Sequence, residues 1–166
     1  MMQITIRQAT DADAVALSGL IRSTIRVSNS KDYDQQSIDL LCSIFEPKQV
    51  AERIANEHIL LCFAGGDLIG TAGLRRDYLR SMFIEPTYQR QGLGKALVEN
   101  IEEIARQNAI SEIMVHSSVT ARQFYDTLGY KFVEFQSYPE GPFVLMRKAL
   151  DEQTSAQGHP LPSQAT

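Results

Sequence analysis

The chain has 166 residues, which is close to the size of one compact domain of about 150 residues. Its composition, 43% hydrophobic and 22% charged, is typical of an ordinary globular protein and excludes collagen-like or largely disordered chains. The formal charge of −4 argues against a general nucleic-acid-binding protein, because such proteins carry a basic surface.

The N-terminal third is predicted to form one strand followed by helices. Alternating residues 4–7 predict a short strand, and Thr10 offers an N-cap for a helix over about residues 12–26. The apolar stripe predicted for this helix consists of Val15, Leu17, Leu20, Ile21 and Ile25. A second helix is predicted over about residues 34–45, ending before Pro47, and short helical turns over residues 50–56.

The remaining elements are predicted to alternate between strands and helices. Residues 59–63 form a continuous apolar run, and Gly65-Gly66 predicts a tight turn into a second strand over 67–75. A strand over 79–84 precedes a long amphipathic helix that opens at Gly92. Then come a strand over 110–116, a helix over 119–128 stopped at Gly129, and two strands over 130–135 and 143–147. This order predicts a mixed α/β fold.

The sequence also bears on membrane association and on the expected location of the protein. Its longest apolar run has six residues, 59–64, against the roughly 20 that cross a bilayer, so no membrane partner is predicted. The first residues lack the basic start and apolar stretch of a signal peptide, which favours a cytoplasmic location. Cys42 and Cys62 are predicted to pack as small apolar side chains. We predict one domain over residues 1–150 and a mobile polar tail over 151–166.

A glycine-bearing loop, Gln89-Arg90-Gln91-Gly92-Leu93-Gly94-Lys95, lies between a strand and a helix. Unpaired N–H groups and the positive end of the helix dipole can bind an anion there. A Walker A loop is excluded, because it would need Gly at position 89 and Ser or Thr at position 96. A dinucleotide fingerprint is excluded as well, because Gly92 lies too far beyond the strand end at Ile84.

The loop Gln89-x-x-Gly92-x-Gly94, preceded by Ile84-x-Pro86, resembles the acetyl-CoA pyrophosphate loop of the GNAT N-acetyltransferase superfamily. About thirty residues later, Ser118-x-x-Ala121-x-x-Phe124-Tyr125-x-x-Leu128-Gly129-Tyr130 resembles the second signature of that family. Together with the element order, the resemblance covers roughly residues 3–150. It implies an acyl-CoA N-acyltransferase fold, with splayed central parallel strands and helices on both faces.

The same resemblance implies that acetyl-CoA is the cosubstrate and indicates where it binds. It implies no metal ion. The strand before the loop would pair with the pantetheine arm through its backbone, at Met82, Phe83 and Ile84. The pyrophosphate would meet the loop N–H groups, with Arg90 and Lys95 either as charge partners or as solvated surface residues. The loop residues implied are Gln89, Arg90, Gln91, Gly92, Leu93, Gly94 and Lys95.

The implied reaction moves an acetyl group from a thioester to a primary amine through a tetrahedral intermediate. Tyr125 occupies the family position near the cofactor sulfur and is expected to act as general acid. Ser118 either caps the following helix or bonds the pantetheine end. Whether there is a general base is left open, and the candidates are water and four side chains, which are Asp77, Tyr78, Glu85 and His116.

The acceptor is expected to be a small-molecule or peptide amine, selected by residues 21–57 and 136–143. Homodimers are common among such proteins, and the sequence leaves this open. Between residues 75 and 95 there are five basic and two acidic side chains, which suits a small polyanion such as CoA and disfavours nucleic acid. The alternative from another class is a non-catalytic acyl-CoA-binding or regulatory module. A third hypothesis is a nucleotide kinase, and the absence of a complete Walker A motif counts against it.

Overall fold

The computed structural model describes residues 2–151, which contain seven strands and five helices. The strands are β1 (Ile4–Gln8), β2 (His58–Ala64), β3 (Asp67–Arg75), β4 (Tyr78–Ile84), β5 (Glu112–Ser118), β6 (Lys131–Tyr138) and β7 (Gly141–Ala149). The helices are α1 (Ala14–Ser28), α2 (Gln35–Ser43), α3 (Pro47–Asn56), α4 (Leu93–Gln107) and α5 (Arg122–Thr127). The predicted mobile tail lies outside the described residues, apart from Asp151.

All seven strands form one mixed sheet in the order β1-β2-β3-β4-β5-β7-β6. Neighbouring strands are antiparallel except β4 and β5, which lie side by side in parallel at the centre. Short turns suffice for the antiparallel pairs, whereas the parallel pair requires the crossover through α4. The predicted α/β class, with splayed central parallel strands and helices on both faces, is confirmed.

Helices cover both faces of the sheet, and the sequence of β2 shows why. Ile59 and Leu61 pack on one face with α1, α2 and α3, while Leu60 and Cys62 pack on the other with α4. Because side chains alternate between the faces of a strand, a strand buried on both sides needs a continuous apolar run. Cys62 and Cys42 are free and buried, consistent with the packing predicted for them.

Three elements differ from the sequence-based prediction. Val15 was predicted to belong to the buried stripe of α1 but is 71% exposed, because the helical spacing from the buried Ile21 places Ala14, and not Val15, on the same face. The turns predicted at 50–56 form a full helix, α3, since Pro47 is well tolerated at a first helical position. Helix α5 begins at Arg122, three residues later than predicted.

Among the described helices, none has both the length and the apolar character needed to cross a bilayer.

Candidate functional site

The central strands β4 and β5 separate soon after they begin. Their parallel pairing includes only Tyr78 with Met114 and Leu79 with Val115. Beyond Leu79, β4 continues for five residues to Ile84 paired with β3 on one side alone. Its other edge therefore presents backbone N–H and C=O groups that an extended ligand can pair with.

A β-bulge lies at the point where β4 leaves β5. Thr71 pairs with Phe83 and Gly73 pairs with Arg80, so two residues of β4, Ser81 and Met82, stand opposite the single residue between Thr71 and Gly73. Ser81 adopts a φ of 53°, in the left-handed region that a serine rarely occupies. The bulge turns the strand and leaves the ladder locally open.

The gap between the two strands opens into a cavity of about 350 Å³, hereafter the inner cavity. Met82 and Phe83 line it from β4, Ser118 lines it from the end of β5, and Tyr125 lines it from α5. The Tyr125 side chain is 4% exposed, and this burial raises the pKa of its phenol. Its hydroxyl therefore stays protonated in neutral and mildly alkaline solution and is available as a proton donor.

The glycine-bearing loop leads into α4, and the first three backbone N–H groups of that helix are unpaired. Gly92 is the N-cap residue and has a φ of 83°, a conformation that costs glycine little. The first N–H that bonds back is that of Ala96, to the carbonyl oxygen of Gly92 at 3.1 Å. The N–H groups of Leu93, Gly94 and Lys95 therefore have no acceptor within the helix and add to the positive end of its dipole.

The side chains of the loop divide into two groups. Gln89 donates from Nε2 to the carbonyl oxygen of Ile84 at 2.9 Å and to Ser28 Oγ at 3.0 Å, and Gln91 donates to the Thr87 carbonyl oxygen at 3.3 Å. These hydrogen bonds fix the loop to the end of β4, to α1 and to the turn that precedes the loop. Arg90 is exposed at a φ of 61°, and Lys95 lies 3.8 Å from Glu99, so both cations point into solvent beside the free N–H groups.

The two sequence signatures meet at Gly94. A Cβ atom at this position would lie 3.2 Å from the Phe124 ring, which is tighter than most real contacts, and 3.7 Å from Ile84. The absence of a side chain thus lets the first turn of α4 approach α5 and the end of β4 together. Leu93, next to it, packs into the same core. The first turn of α4 and the helix that carries Tyr125 are therefore held in contact.

Ser118 and Tyr33 define the start of α5. Ser118 Oγ accepts a hydrogen bond from the N–H of Ala121 at 3.1 Å, so it caps the turn that leads into the helix. Val119, predicted inside the helix, instead donates its N–H to the Tyr33 hydroxyl at 2.9 Å. The same hydroxyl donates to the Pro142 carbonyl oxygen at 2.7 Å, which joins three chain segments around the inner cavity.

The four candidates for a general base lie in different places. His116 lines the inner cavity and stacks on Tyr78, with ring centroids 5.2 Å apart. Asp77 is exposed in the turn between β3 and β4, and Glu85 accepts from the N–H and hydroxyl of Thr87 at the far end of β4. Of these candidates, only His116 faces the space where a reacting amine could lie.

Sequence reasoning missed the polar group on the α3 side of the inner cavity. Arg53 and Arg80 both line it, Arg80 donates to Glu57 Oε1 at 2.9 Å, and Arg53 donates to Ser81 Oγ at 3.3 Å. Two signals were present in the sequence: the four-residue spacing of Arg53 and Glu57 on a helix, and the polar pair Arg80-Ser81 interrupting an apolar strand. Neither signal shows that the Arg53 side chain reaches Ser81 on β4.

Comparison with known proteins identifies related sequences and folds. Residues 29–150 match the family described as acetyltransferase (GNAT) domain. YafP of Escherichia coli K12, named an uncharacterized N-acetyltransferase, is 24% identical over 136 residues, which are 82% of this chain and 87% of YafP. A GCN5-related N-acetyltransferase structure from Rhodopseudomonas palustris superposes with a TM-score of 0.85 at 20% identity, covering 90% of this chain and 98% of that one. The PaiA N-acetyltransferase of Thermoplasma acidophilum, solved with coenzyme A, gives 0.78 at 21% identity, covering 89% and 99%.

Proposed function

Since the chain belongs to the GNAT acetyltransferase family, we propose that it is an acetyl-CoA-dependent N-acetyltransferase acting on a primary amine. The observation that carries the proposal is the inner cavity, which joins the open edge of β4 to the Tyr125 hydroxyl. A backbone edge, a helix N-terminus and a buried proton donor together suit a long anionic thioester and its leaving group.

The residues present fit acetyl-CoA. The N–H groups of Leu93, Gly94 and Lys95 would hold the pyrophosphate, and the missing side chain at Gly94 lets this turn pack closely against Phe124. Met82, Phe83 and Ile84 would pair with the pantetheine amides along the open edge of β4. When bound, acetyl-CoA supplies an activated acetyl thioester; the chain supplies its position and the proton transfers.

Tyr125 is the general acid in this proposal. The acceptor nitrogen forms a bond to the acetyl carbon, the carbon–sulfur bond breaks, and Tyr125 donates its phenolic proton to the departing sulfur. The developing negative charge on the acetyl oxygen needs a preorganised N–H donor, which the open ladder at Ser81 and Met82 can offer. Because burial raises the pKa of Tyr125, the phenol holds its proton until this step.

His116 receives the proton that the amine must lose. Its ring lines the inner cavity, is exposed to solvent and is held between Tyr78 and Tyr138, whose ring centroid is 6.0 Å away. A stacked imidazole keeps its orientation while one ring nitrogen accepts a proton directly or through water. Asp77 and Glu85 lie outside this cavity and take no part.

The test is a coupled measurement of thiol release and amine acetylation. The purified chain is mixed with acetyl-CoA and a panel of neutral, cationic and anionic primary amines; free thiol is followed optically and the acetylated amine by mass spectrometry. We expect stoichiometric thiol and acetylated product with at least one amine. Acetyl-CoA binding measured by calorimetry, with no release above the rate of hydrolysis on any amine, would instead support the non-catalytic module.

A further inference from the structure

A second cavity of about 450 Å³, hereafter the outer cavity, adjoins the inner one on its α3 side. The two cavities share Ile44, Arg53 and Arg80 in their linings. The outer cavity is lined mainly by polar side chains, with Arg75 and Glu57 among them. The two shared arginines therefore stand where a ligand would pass from solvent to the proposed site of acetyl transfer.

Arg53 and Arg80 share a single carboxylate. Glu57 Oε1 lies 2.9 Å from Arg80 and 3.9 Å from Arg53, and the Glu57 side chain is 3% exposed. Two guanidinium groups against one carboxylate leave one positive charge at the junction of the cavities, and Arg75 and Glu52, which also line the outer cavity, add one charge of each sign. Arg53 and Arg80 remain 18% and 30% exposed, so parts of both guanidinium groups are open to a ligand.

The electrostatic environment of Arg53 favours an added anion. Burial lowers the pKa of Arg53, and the nearby positive charges of Arg80 and Arg75 lower that pKa further, while Glu57 opposes them. Arginine nevertheless keeps its proton in proteins. A carboxylate or phosphate placed between the guanidinium groups would offset this repulsion and accept their paired hydrogen bonds.

Apolar side chains flank the arginines. Phe45 and Phe83 line the inner cavity with ring centroids 5.6 Å apart in an edge-to-face arrangement, and the Arg53 guanidinium lies 4.7 Å above the Phe45 ring. Glu140 is the one carboxylate among the described residues lining the inner cavity, and it lies on the turn between β6 and β7. The cationic and the apolar features thus adjoin each other at the β4 side.

We infer that the acceptor is a primary amine that also carries a carboxylate or phosphate, held by Arg53 and Arg80 while its apolar body packs on Phe45 and Phe83. The inference rests on the proposed function and narrows its substrate class. A second ammonium group at the same place would face two guanidinium groups and be disfavoured, so polyamines and aminoglycosides fit poorly. Glu57 orients the two arginines and offsets part of the repulsion between them.

The experiment compares amines that share one body and differ only in charge. Benzylamine carries, in the para position, a carboxylate, a neutral carboxamide or a second aminomethyl group, and kcat/KM is measured by thiol release. We expect the carboxylate amine to exceed the carboxamide by about 10- to 100-fold, the usual effect of charge-assisted hydrogen bonds, and the diamine to be poorest. Phosphoethanolamine against ethanolamine tests the phosphate source in the same way.

Substitutions test whether Arg53 and Arg80 cause the preference for the carboxylate amine. Arg53→Gln and Arg80→Gln combined with Glu57→Gln remove both cations together with the carboxylate between them, which avoids leaving a buried charge alone. We expect kcat/KM for the carboxylate amine to fall to that of the carboxamide, mainly through KM. Arg147→Gln, at an exposed position of β7 outside both cavities, is the matched control, and we expect it to keep the preference. Circular dichroism verifies that each variant is folded.

Binding separates this inference from the proposed function. Each amine is titrated calorimetrically into protein saturated with CoA, a measurement that requires no turnover. Equal or better transfer to the carboxamide or the diamine overturns the inference and leaves acetyl transfer intact. Preferential binding of the carboxylate amine without transfer to any amine overturns the acetyltransferase proposal and supports an anion-binding site. If the protein shows no binding preference and transfers acetyl to no amine, both the inference and the acetyltransferase proposal are overturned.

Discussion

Replacing Tyr125 by phenylalanine removes a single oxygen from the inner cavity and leaves the ring in place. The ring packs edge-to-face on Phe124 and Tyr130, with centroid distances of 5.0 and 5.5 Å, and phenylalanine keeps both contacts. No hydrogen bond joins the Tyr125 hydroxyl to another of the described residues. We therefore expect the free energy of unfolding to change by less than about 1 kcal/mol.

The expected effect lies in turnover. General acid catalysis contributes about 10²- to 10⁴-fold to a rate, which corresponds to roughly 3 to 5 kcal/mol of activation free energy. We expect kcat of Tyr125→Phe to fall by about 100-fold or more, because the sulfur must then leave unprotonated or take a proton from water. The dissociation constant of acetyl-CoA should change less than about threefold, since the loop N–H groups and the β4 edge are untouched.

The pH dependence follows from the direction of the pKa shift. Burial raises the pKa of Tyr125, so the phenol stays protonated as the pH rises through the ordinary tyrosine value of about 10. The wild-type rate should therefore show no loss from this group between pH 7 and about pH 10. A limb that falls below pH 9 and disappears in Tyr125→Phe would contradict the buried, protonated phenol.

Tyr130→Phe is the matched control. Tyr130 belongs to the same aromatic cluster, yet its hydroxyl donates to Glu102 Oε1 at 3.1 Å and takes no part in the proposed reaction. We expect this variant to lose about 1 kcal/mol of stability and to keep its kcat. The assay is thiol release under saturating acetyl-CoA and amine; full activity of Tyr125→Phe, or equal loss in both variants, would refute the assignment of Tyr125.

Three further predictions concern stability, measured by urea denaturation. Gly92→Ala should cost about 1 to 2 kcal/mol, because its φ of 83° is unfavourable for a residue with a Cβ atom, whereas Gly19→Ala within α1 should gain about 0.5 to 1 kcal/mol. Tyr33→Phe should cost about 1 to 3 kcal/mol through the loss of its two hydrogen bonds. The hydrogen bond from Arg7 lowers the pKa of Asp13, so the ionised Asp13 stabilises the fold above about pH 4 and this contribution is lost as the pH falls. The difference in free energy of unfolding between the wild type and Asp13→Asn should therefore shrink between about pH 5 and pH 2.

Each of these has an opposite outcome that would contradict it. Equal effects at Gly92 and Gly19 would show that backbone conformation is not what distinguishes the two glycines. An unchanged midpoint for Tyr33→Phe would mean that its hydroxyl does not join the segments around the inner cavity. A stability difference between the wild type and Asp13→Asn that stays constant with pH would show that Arg7 does not lower the pKa of Asp13.

Local sequence patterns determined most of the secondary structure and the family. The 3.6-residue period of α4, the Gly65-Gly66 turn and the continuous apolar run of β2 are properties of neighbouring residues, so they can be read without knowing the fold. The two signatures around Gly92 and Tyr125 are local as well, and each lies on the loop or helix where the sequence predicted it. The predicted α/β class followed from the order of these elements.

Only the tertiary structure decided which distant groups face the inner cavity. Arg53 reaches Ser81 across 28 residues of chain, and Tyr33 reaches Val119 across 86. The left-handed φ of Ser81 arises from the pairing of β4 with β3, since serine has no preference for it. Likewise, only the fold shows that His116 lines the inner cavity whereas Asp77 and Glu85 do not. A short segment encodes its own period and turns, whereas the acceptor side of this site is formed by contacts between segments that no local pattern records.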